Sequence, residues 1–216
     1  MMSPSPANSF WLPLHALLLL ACLVGASLLP ALRIWPWCWL APLAAYALLV
    51  LALPPLRCTF PRWRLGKITR AAILATLLIA AVSSATLIVF QSFTHPDVYG
   101  YRQLLPVASF GGILAFAIFF SVLNAVCEEV IFRDILFDAL ASLWGPPTAA
   151  FFTALLFGYG HLQGYPPGPP GAVLAGLFGL ALGGLRIVTS GLALPIFAHI
   201  AADATIITLL ARAGAF

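Results

Sequence analysis

From Ala71 to Phe90 the chain runs for twenty residues without one charged side chain. A helix of that length rises about 30 Å, the thickness of the hydrocarbon core of a bilayer. Similar runs extend from about Phe10 to Leu29, Trp35 to Leu53, Gly171 to Arg186 and Leu192 to Leu210. A shorter run covers Thr148 to His161, and a helical pattern from about Pro106 to Trp144 is nearly twice the thickness a span needs. Hydrophobic residues make up 62% of the chain and charged residues 7%, against about 25% charged in an ordinary soluble domain. So few charged groups cannot cover the surface of a soluble fold of 216 residues. The composition excludes a soluble enzyme, a disordered tail and a nucleic-acid partner. The expected fold is all-α: one integral membrane domain, a polytopic bundle of about seven transmembrane helices in contact with the lipid bilayer.

The breaks between runs have chemical causes. Trp35, Trp37 and Trp39 open the second run as interfacial anchors, and Pro54-Pro55 ends it. Gly145-Pro146-Pro147 closes the long pattern, which must tilt, bend or divide. Gly164 to Gly171, rich in proline, reads as a stiff connector. The net charge is +4, and five of the basic residues fall between Arg57 and Arg70. The positive-inside rule puts that loop in the cytoplasm, which with seven spans leaves the N-terminus cytoplasmic as well. Arg186 falls on the same side. Residues ahead of Phe10 carry no Lys or Arg, so the first run reads as a retained span. Cys22, Cys38, Cys58 and Cys127 match no zinc or CxxC spacing. No repeat of fixed period is present.

With so few ionisable groups, those inside apolar runs are informative. An acidic side chain at mid-bilayer costs about 2.5–3.5 kcal/mol on insertion scales, which makes each one a functional candidate. Glu128 and Glu129 follow an apolar run, and Arg133 stands four residues after Glu129, on the same helix face. Glu128 points about 100° away and lacks that partner. His161 ends a second run, next to Gly158 and Gly160, whose lack of a side chain allows close approach. His199 and Asp203, at i and i+4, share one face of the last run. Costly groups on three helices are expected to converge on one wetted interior. Each also has a purely structural explanation: Glu129–Arg133 as a lock between helices, the histidines as interhelical donors. Asp134 and Asp138 are expected at the cytoplasmic end of the long helix. His15 and His95 are assigned no chemistry.

Glu128-Glu129-Val130-Ile131-Phe132-Arg133 resembles the EExxxR motif of the CPBP family, also called the Abi or CAAX-protease-and-bacteriocin-processing family. Phe157-Gly158-Tyr159-Gly160-His161 resembles its FxxxH motif, and His199-Ile200-Ala201-Ala202-Asp203 its Hxxx(N/D) motif. Order and spacing agree over about residues 107 to 210. The resemblance implies two parts: N-terminal helices with the basic loop over 1–106, and a CPBP-like, Rce1-like catalytic core over 107–216. It implies a multi-pass protein of the bacterial inner (plasma) membrane and an intramembrane endopeptidase of glutamic type. The expected substrate is a membrane-associated protein or peptide, processed as a CAAX protein, a sorting tail or a bacteriocin. Glu128 carries over as the catalytic glutamate, in agreement with the geometric reading of Glu129 and Arg133 as a supporting pair. Asp203 stands where prenyl-protease members usually have Asn, and an ionised Asp cannot donate to an oxyanion.

The expected chemistry is a water activated by Glu128 with His161 and added to a peptide carbonyl. His199 polarises that carbonyl or holds the oxyanion, and Asp203 orients His199 or a water. No cofactor is expected. Zn²⁺ held by the same side chains is the metal-dependent variant, although HExxH is absent. A proton-coupled transporter, or a non-enzymatic immunity or binding membrane protein, would also place Glu, Arg and His in a wetted interior.

Overall fold

The computed structural model of the protein describes residues 6–59, 64–98 and 110–214, with backbone only for 6–10 and 110. Among the described residues the regular elements are α1 (Pro6–Ser27), a 3₁₀ turn (Pro30–Leu32), α2 (Trp37–Ala52), α3 (Pro54–Thr59), α4 (Arg70–Thr94), α5 (Phe110–Glu129), a π-helical stretch (Val130–Ile135), α6 (Leu136–Trp144), α7 (Pro146–Gly160), α8 (Gly168–Thr189) and α9 (Ala193–Arg212). No strand occurs among them. The architecture is the expected all-helical bundle.

Among the described residues four stretches are long and apolar enough to cross a membrane: Arg70–Thr94, Gly111–Trp144, Gly168–Thr189 and Ala193–Arg212. The other expected spans correspond to α1, α2 and α7. With 16 and 15 residues, α2 and α7 rise about 24 and 22 Å, short of the roughly 30 Å hydrocarbon core. Leu74, Leu77, Leu78, Val82, Ile88 and Val89 of α4 are exposed. An apolar face of that extent needs lipid around it, and the chain is an integral membrane protein.

Local chemistry sets the helix ends. The Thr69 hydroxyl caps α4 by accepting from Ala72 N at 3.1 Å. Pro169 and Pro170 lie in the first turn of α8 rather than in the connector, so α8 begins at Gly168, three residues before the sequence expectation. Proline loses nothing there, because first-turn N–H groups have no intrahelical acceptor. The long pattern, whose residues 106–109 lie outside the described ones, neither breaks nor leaves the bundle. It continues for 34 residues through the π-helical stretch, all six residues of which are buried.

The core joins the two ends of the chain. Leu19 of α1, Tyr46 and Val50 of α2, Ile131, Ile135 and Leu136 of the long helix, and Phe157 of α7 form one buried cluster. Helices α7 and α8 cross at glycines: a Cβ on Gly158 would stand 2.6 Å from the Ala172 carbonyl oxygen, and one on Gly183 would stand 2.9 Å from Ala150 Cβ. Gly160 has open space instead.

Among the polar side chains buried outside the acidic cluster are His15, Arg186 and Asp134. His15 is fully buried, its ring bonded to the Tyr46 hydroxyl at 2.7 Å and to Thr59 Oγ1 at 3.1 Å, which ties α1 to α2 and α3. Arg186, near the end of α8 that the basic segment touches, is buried, donating from Nε to the Arg133 carbonyl and from Nη2 to Asp138, each at 2.9 Å. Asp134 is buried in the π-helical stretch rather than solvated. The basic loop also has structure. Arg57 lies in α3 and Arg62 outside the described residues, while 64–67 run as an extended strap along the α8–α9 turn. Lys67 N donates to Thr189 O, and Leu192 N donates to Arg64 O, each at 2.8 Å.

Candidate active site

The acidic side chains stand where α5 passes into the π-helical stretch. Glu129 and Arg133 keep their i,i+4 relation there, and Arg133 Nη1 donates to Glu129 Oε1 at 3.0 Å with both side chains fully buried. Arg133 Nη2 reaches the Gly179 carbonyl of α8 at 3.1 Å. A Cβ on Gly179 would lie 3.0 Å from that same Nη2, so the absent side chain leaves room for the guanidinium. The ring of Phe157 is stacked between Arg133, whose Cζ is 4.3 Å from the ring centroid, and the His161 ring, also at 4.3 Å. Phe157 thus connects the charged pair of one helix to the histidine of another.

Glu128 projects next to α7 and α9, within reach of a histidine from each. Its Oε2 is 3.8 Å from His161 Nε2 and 3.7 Å from His199 Nε2. Among the described residues that buried oxygen has no hydrogen-bond partner. The histidine tautomers follow from their other nitrogens. His161 Nδ1 lies 2.7 Å from the Phe157 carbonyl, which can only accept, so Nδ1 carries hydrogen and Nε2 faces Glu128. His199 Nδ1 lies 2.8 Å from Glu129 Oε1, so its Nε2 likewise turns toward Glu128. Asp203 Oδ1 is 3.7 Å from His199 Nε2. The direct bond that sets the His199 ring therefore comes from Glu129 rather than from Asp203.

All six residues singled out in the sequence, Glu128, Glu129, Arg133, His161, His199 and Asp203, meet in one place. Two others join them: Asn124, assigned no role from the sequence, and Trp39, expected as an interfacial anchor but bonded into the site. Asn124, one turn before Glu128, donates from Nδ2 to Glu128 Oε1 at 3.1 Å and to Asp203 Oδ2 at 3.2 Å. Trp39 of α2 donates from Nε1 to Asn124 Oδ1 at 3.0 Å. Asn124 stands at i−4 from Glu128, inside an apolar run, and its spacing to Glu128 was available as a signal. Nothing in the sequence ties Trp39 to it.

His161, His199 and Asp203 border a cavity of about 430 Å³ between α4, α7, α8 and α9. The rest of its wall is largely apolar, with Leu78, Val82, Phe178 and Ile206 among its residues. Leu78 and Val82 also belong to the exposed outer face of α4, so the cavity borders the lipid-facing surface. His161 keeps about a quarter of its side chain exposed while Glu128 is almost wholly enclosed.

Donors bonded tetrahedrally to Zn²⁺ at about 2.0–2.1 Å stand about 3.3–3.5 Å apart, closer than the separations around Glu128 Oε2. Among the described residues no group of three or more His, Cys, Asp or Glu side chains is arranged to hold a metal ion.

Residues 110–205 match the family described as Type II CAAX prenyl endopeptidase Rce1-like. No curated protein and no solved structure matches the chain. The matched stretch runs from the start of α5 to α9 and contains Glu128, His161, His199 and Asp203. It leaves out α1 to α4, and with them Trp39.

Proposed function

Since residues 110–205 match the Rce1-like family, we propose that the protein is an intramembrane endopeptidase that hydrolyses one peptide bond of a membrane-associated protein or peptide. The observation that carries this reading is the buried Oε2 of Glu128, which has no hydrogen bond among the described residues and faces the Nε2 atoms of two histidines. A water seated among these three atoms donates one hydrogen to Glu128 Oε2 and the other to His161 Nε2. Its lone pair is left for a carbonyl carbon.

The substrate carbonyl lies toward His199. An imidazolium there, balanced by the Glu129 carboxylate, donates from Nε2 to the oxygen that becomes negative as water adds. Glu128 takes the water proton as the C–O bond forms. It then returns that proton to the departing nitrogen as the C–N bond breaks, so a new carboxyl terminus and a new amine result. Arg133 holds Glu129 in place through the bond from Nη1. No metal is needed for these steps, and the reading is of a metal-free, glutamic-type site. Low-dielectric surroundings strengthen each of these interactions relative to water.

The apolar cavity beside the site favours a substrate that carries lipid or a hydrophobic segment next to the cut bond. Access runs from the bilayer, past Leu78 and Val82. The cytoplasmic orientation of the basic strap and residence in a bacterial plasma membrane belong to the same proposal.

The test compares membrane-protein termini, by mass spectrometry, in native cells that carry the wild-type chain or Glu128→Gln at equal abundance. The reading expects specific termini to vanish and longer precursors to accumulate in the variant. Identical profiles under conditions where the protein matters would remove the protease reading. Coupled proton flux lost in the same variant would favour transport instead.

A further inference from the structure

We infer that Asn124 is a positioning residue for this reaction, and that Trp39, from the helices outside the family-matched segment, sets its orientation. The inference rests on the hydrolase reading above. The indole of Trp39 has one N–H and nothing that accepts. The atom of Asn124 that faces it at 3.0 Å is therefore the amide oxygen. This fixes the side chain without ambiguity, since an amide rotated by 180° would set N–H against N–H.

With the oxygen committed to α2, the amide nitrogen faces the two carboxylates. Each of its two hydrogens serves one: Glu128 Oε1 on its own helix at 3.1 Å, and Asp203 Oδ2 on α9 at 3.2 Å. One neutral group thus joins two acidic side chains from different helices, both almost fully buried. The consequence for Glu128 is asymmetric. Oε1 is held by Asn124, and Oε2 remains for water between His161 and His199. A freely turning carboxylate would spend part of the time at intermediate torsion angles, with neither oxygen aimed at the histidines. For Asp203 the same bond occupies Oδ2 and turns Oδ1 toward His199 Nε2, 3.7 Å away.

A role confined to tying α2, α5 and α9 together would lower stability when broken and leave the turnover of folded protein alone. A positioning role lowers kcat in folded protein and spares KM. The two are separated by a double-mutant cycle on Asn124→Ala and Trp39→Phe, using the precursor whose cut depends on Glu128, with purified protein in liposomes. Trp39→Phe keeps most of the ring volume and removes the donor. Asn124→Ala is expected to lower kcat about a hundredfold, the scale of a misplaced reacting group, with KM within about twofold. Trp39→Phe is expected to lower kcat about fivefold, the scale of one hydrogen bond. Because Trp39 acts through Asn124, the double variant is expected to be no slower than Asn124→Ala alone.

Wild-type kcat in Asn124→Ala overturns the inference, and so does multiplication of the two effects in the double variant. Should Asn124→Ala not fold, a Trp39→Phe variant with unchanged kcat overturns it. If no terminus depends on Glu128, the hydrolase reading itself fails and the inference falls with it. An inactive Glu128→Gln beside a fully active Asn124→Ala removes the inference alone.

Discussion

At the scale of single residues, the site is an arrangement of hydrogen-bonding roles rather than a collection of charges. Glu129 is engaged through Oε1 by Arg133 and His199, Glu128 through Oε1 by Asn124, and Glu128 Oε2, which faces the two histidines, is the oxygen proposed to react. Glu128→Gln should keep the fold, since an amide fills the same space, and reduce hydrolysis by orders of magnitude. Glu129→Ala should lower both stability and turnover, since His199 also loses the bond that sets its ring. It leaves Arg133 buried without its partner, and the loss of one member of a buried pair costs about 3–5 kcal/mol. Thermal unfolding of the two purified variants checks this, with the midpoint falling for Glu129→Ala and holding for Glu128→Gln. Asp203→Asn should retain activity within about tenfold, because its side-chain oxygen still accepts from Asn124 and its nitrogen gains the ability to donate. The separate fates of Glu128 and Glu129 were legible in the sequence, since 100° per residue puts only one of them over Arg133. The part of Glu129 in orienting His199 was not, because it depends on which helix face of α9 meets α5.

At the scale of elements, the glycines and prolines decide where helices end and how near they come. Gly158 sits where α7 meets the backbone of α8, and Phe157 and His161 flank it on the same helix. Gly158→Ala should force the two helices apart, at a cost of about 1–3 kcal/mol, and should lower both the thermal midpoint and turnover. Gly160→Ala, with nothing within 4 Å of its Cβ, should change neither by much. Thermal unfolding of the pair measures the contrast. Element positions were readable from apolar run length to within a few residues. The π-helical stretch and the short α3 were not, because neither changes the local pattern of apolar residues. The strap formed by residues 64–67 was equally hidden. Its backbone bonds to the α8–α9 turn involve residues more than a hundred positions apart, and main-chain pairing leaves no side-chain signature.

At the scale of the whole molecule, the matched domain and the N-terminal helices share one interior. Tyr46 and Leu19 pack against Ile131 and Phe157, and Trp39 reaches the site through Asn124. The core of four long helices could be anticipated from hydropathy, whereas the docking of α1 and α2 could not, since no sequence spacing links Trp39 to Asn124. The orientation expected from the basic segment can be checked on native side chains. Cys58 is exposed and lies beside Arg57 on α3, while Cys127 is buried. A membrane-impermeant maleimide should label Cys58 in inside-out vesicles and not in intact cells, and labelling of intact cells would reverse the topology. The central claim, that Glu128 drives hydrolysis of a peptide bond within the membrane, is tested most directly with purified protein in liposomes. The substrate is the precursor that accumulates in Glu128→Gln cells. The account predicts that the wild-type protein cuts it at the native position with a metal chelator present, and that Glu128→Gln leaves it intact. Cutting by Glu128→Gln at the wild-type rate would contradict it.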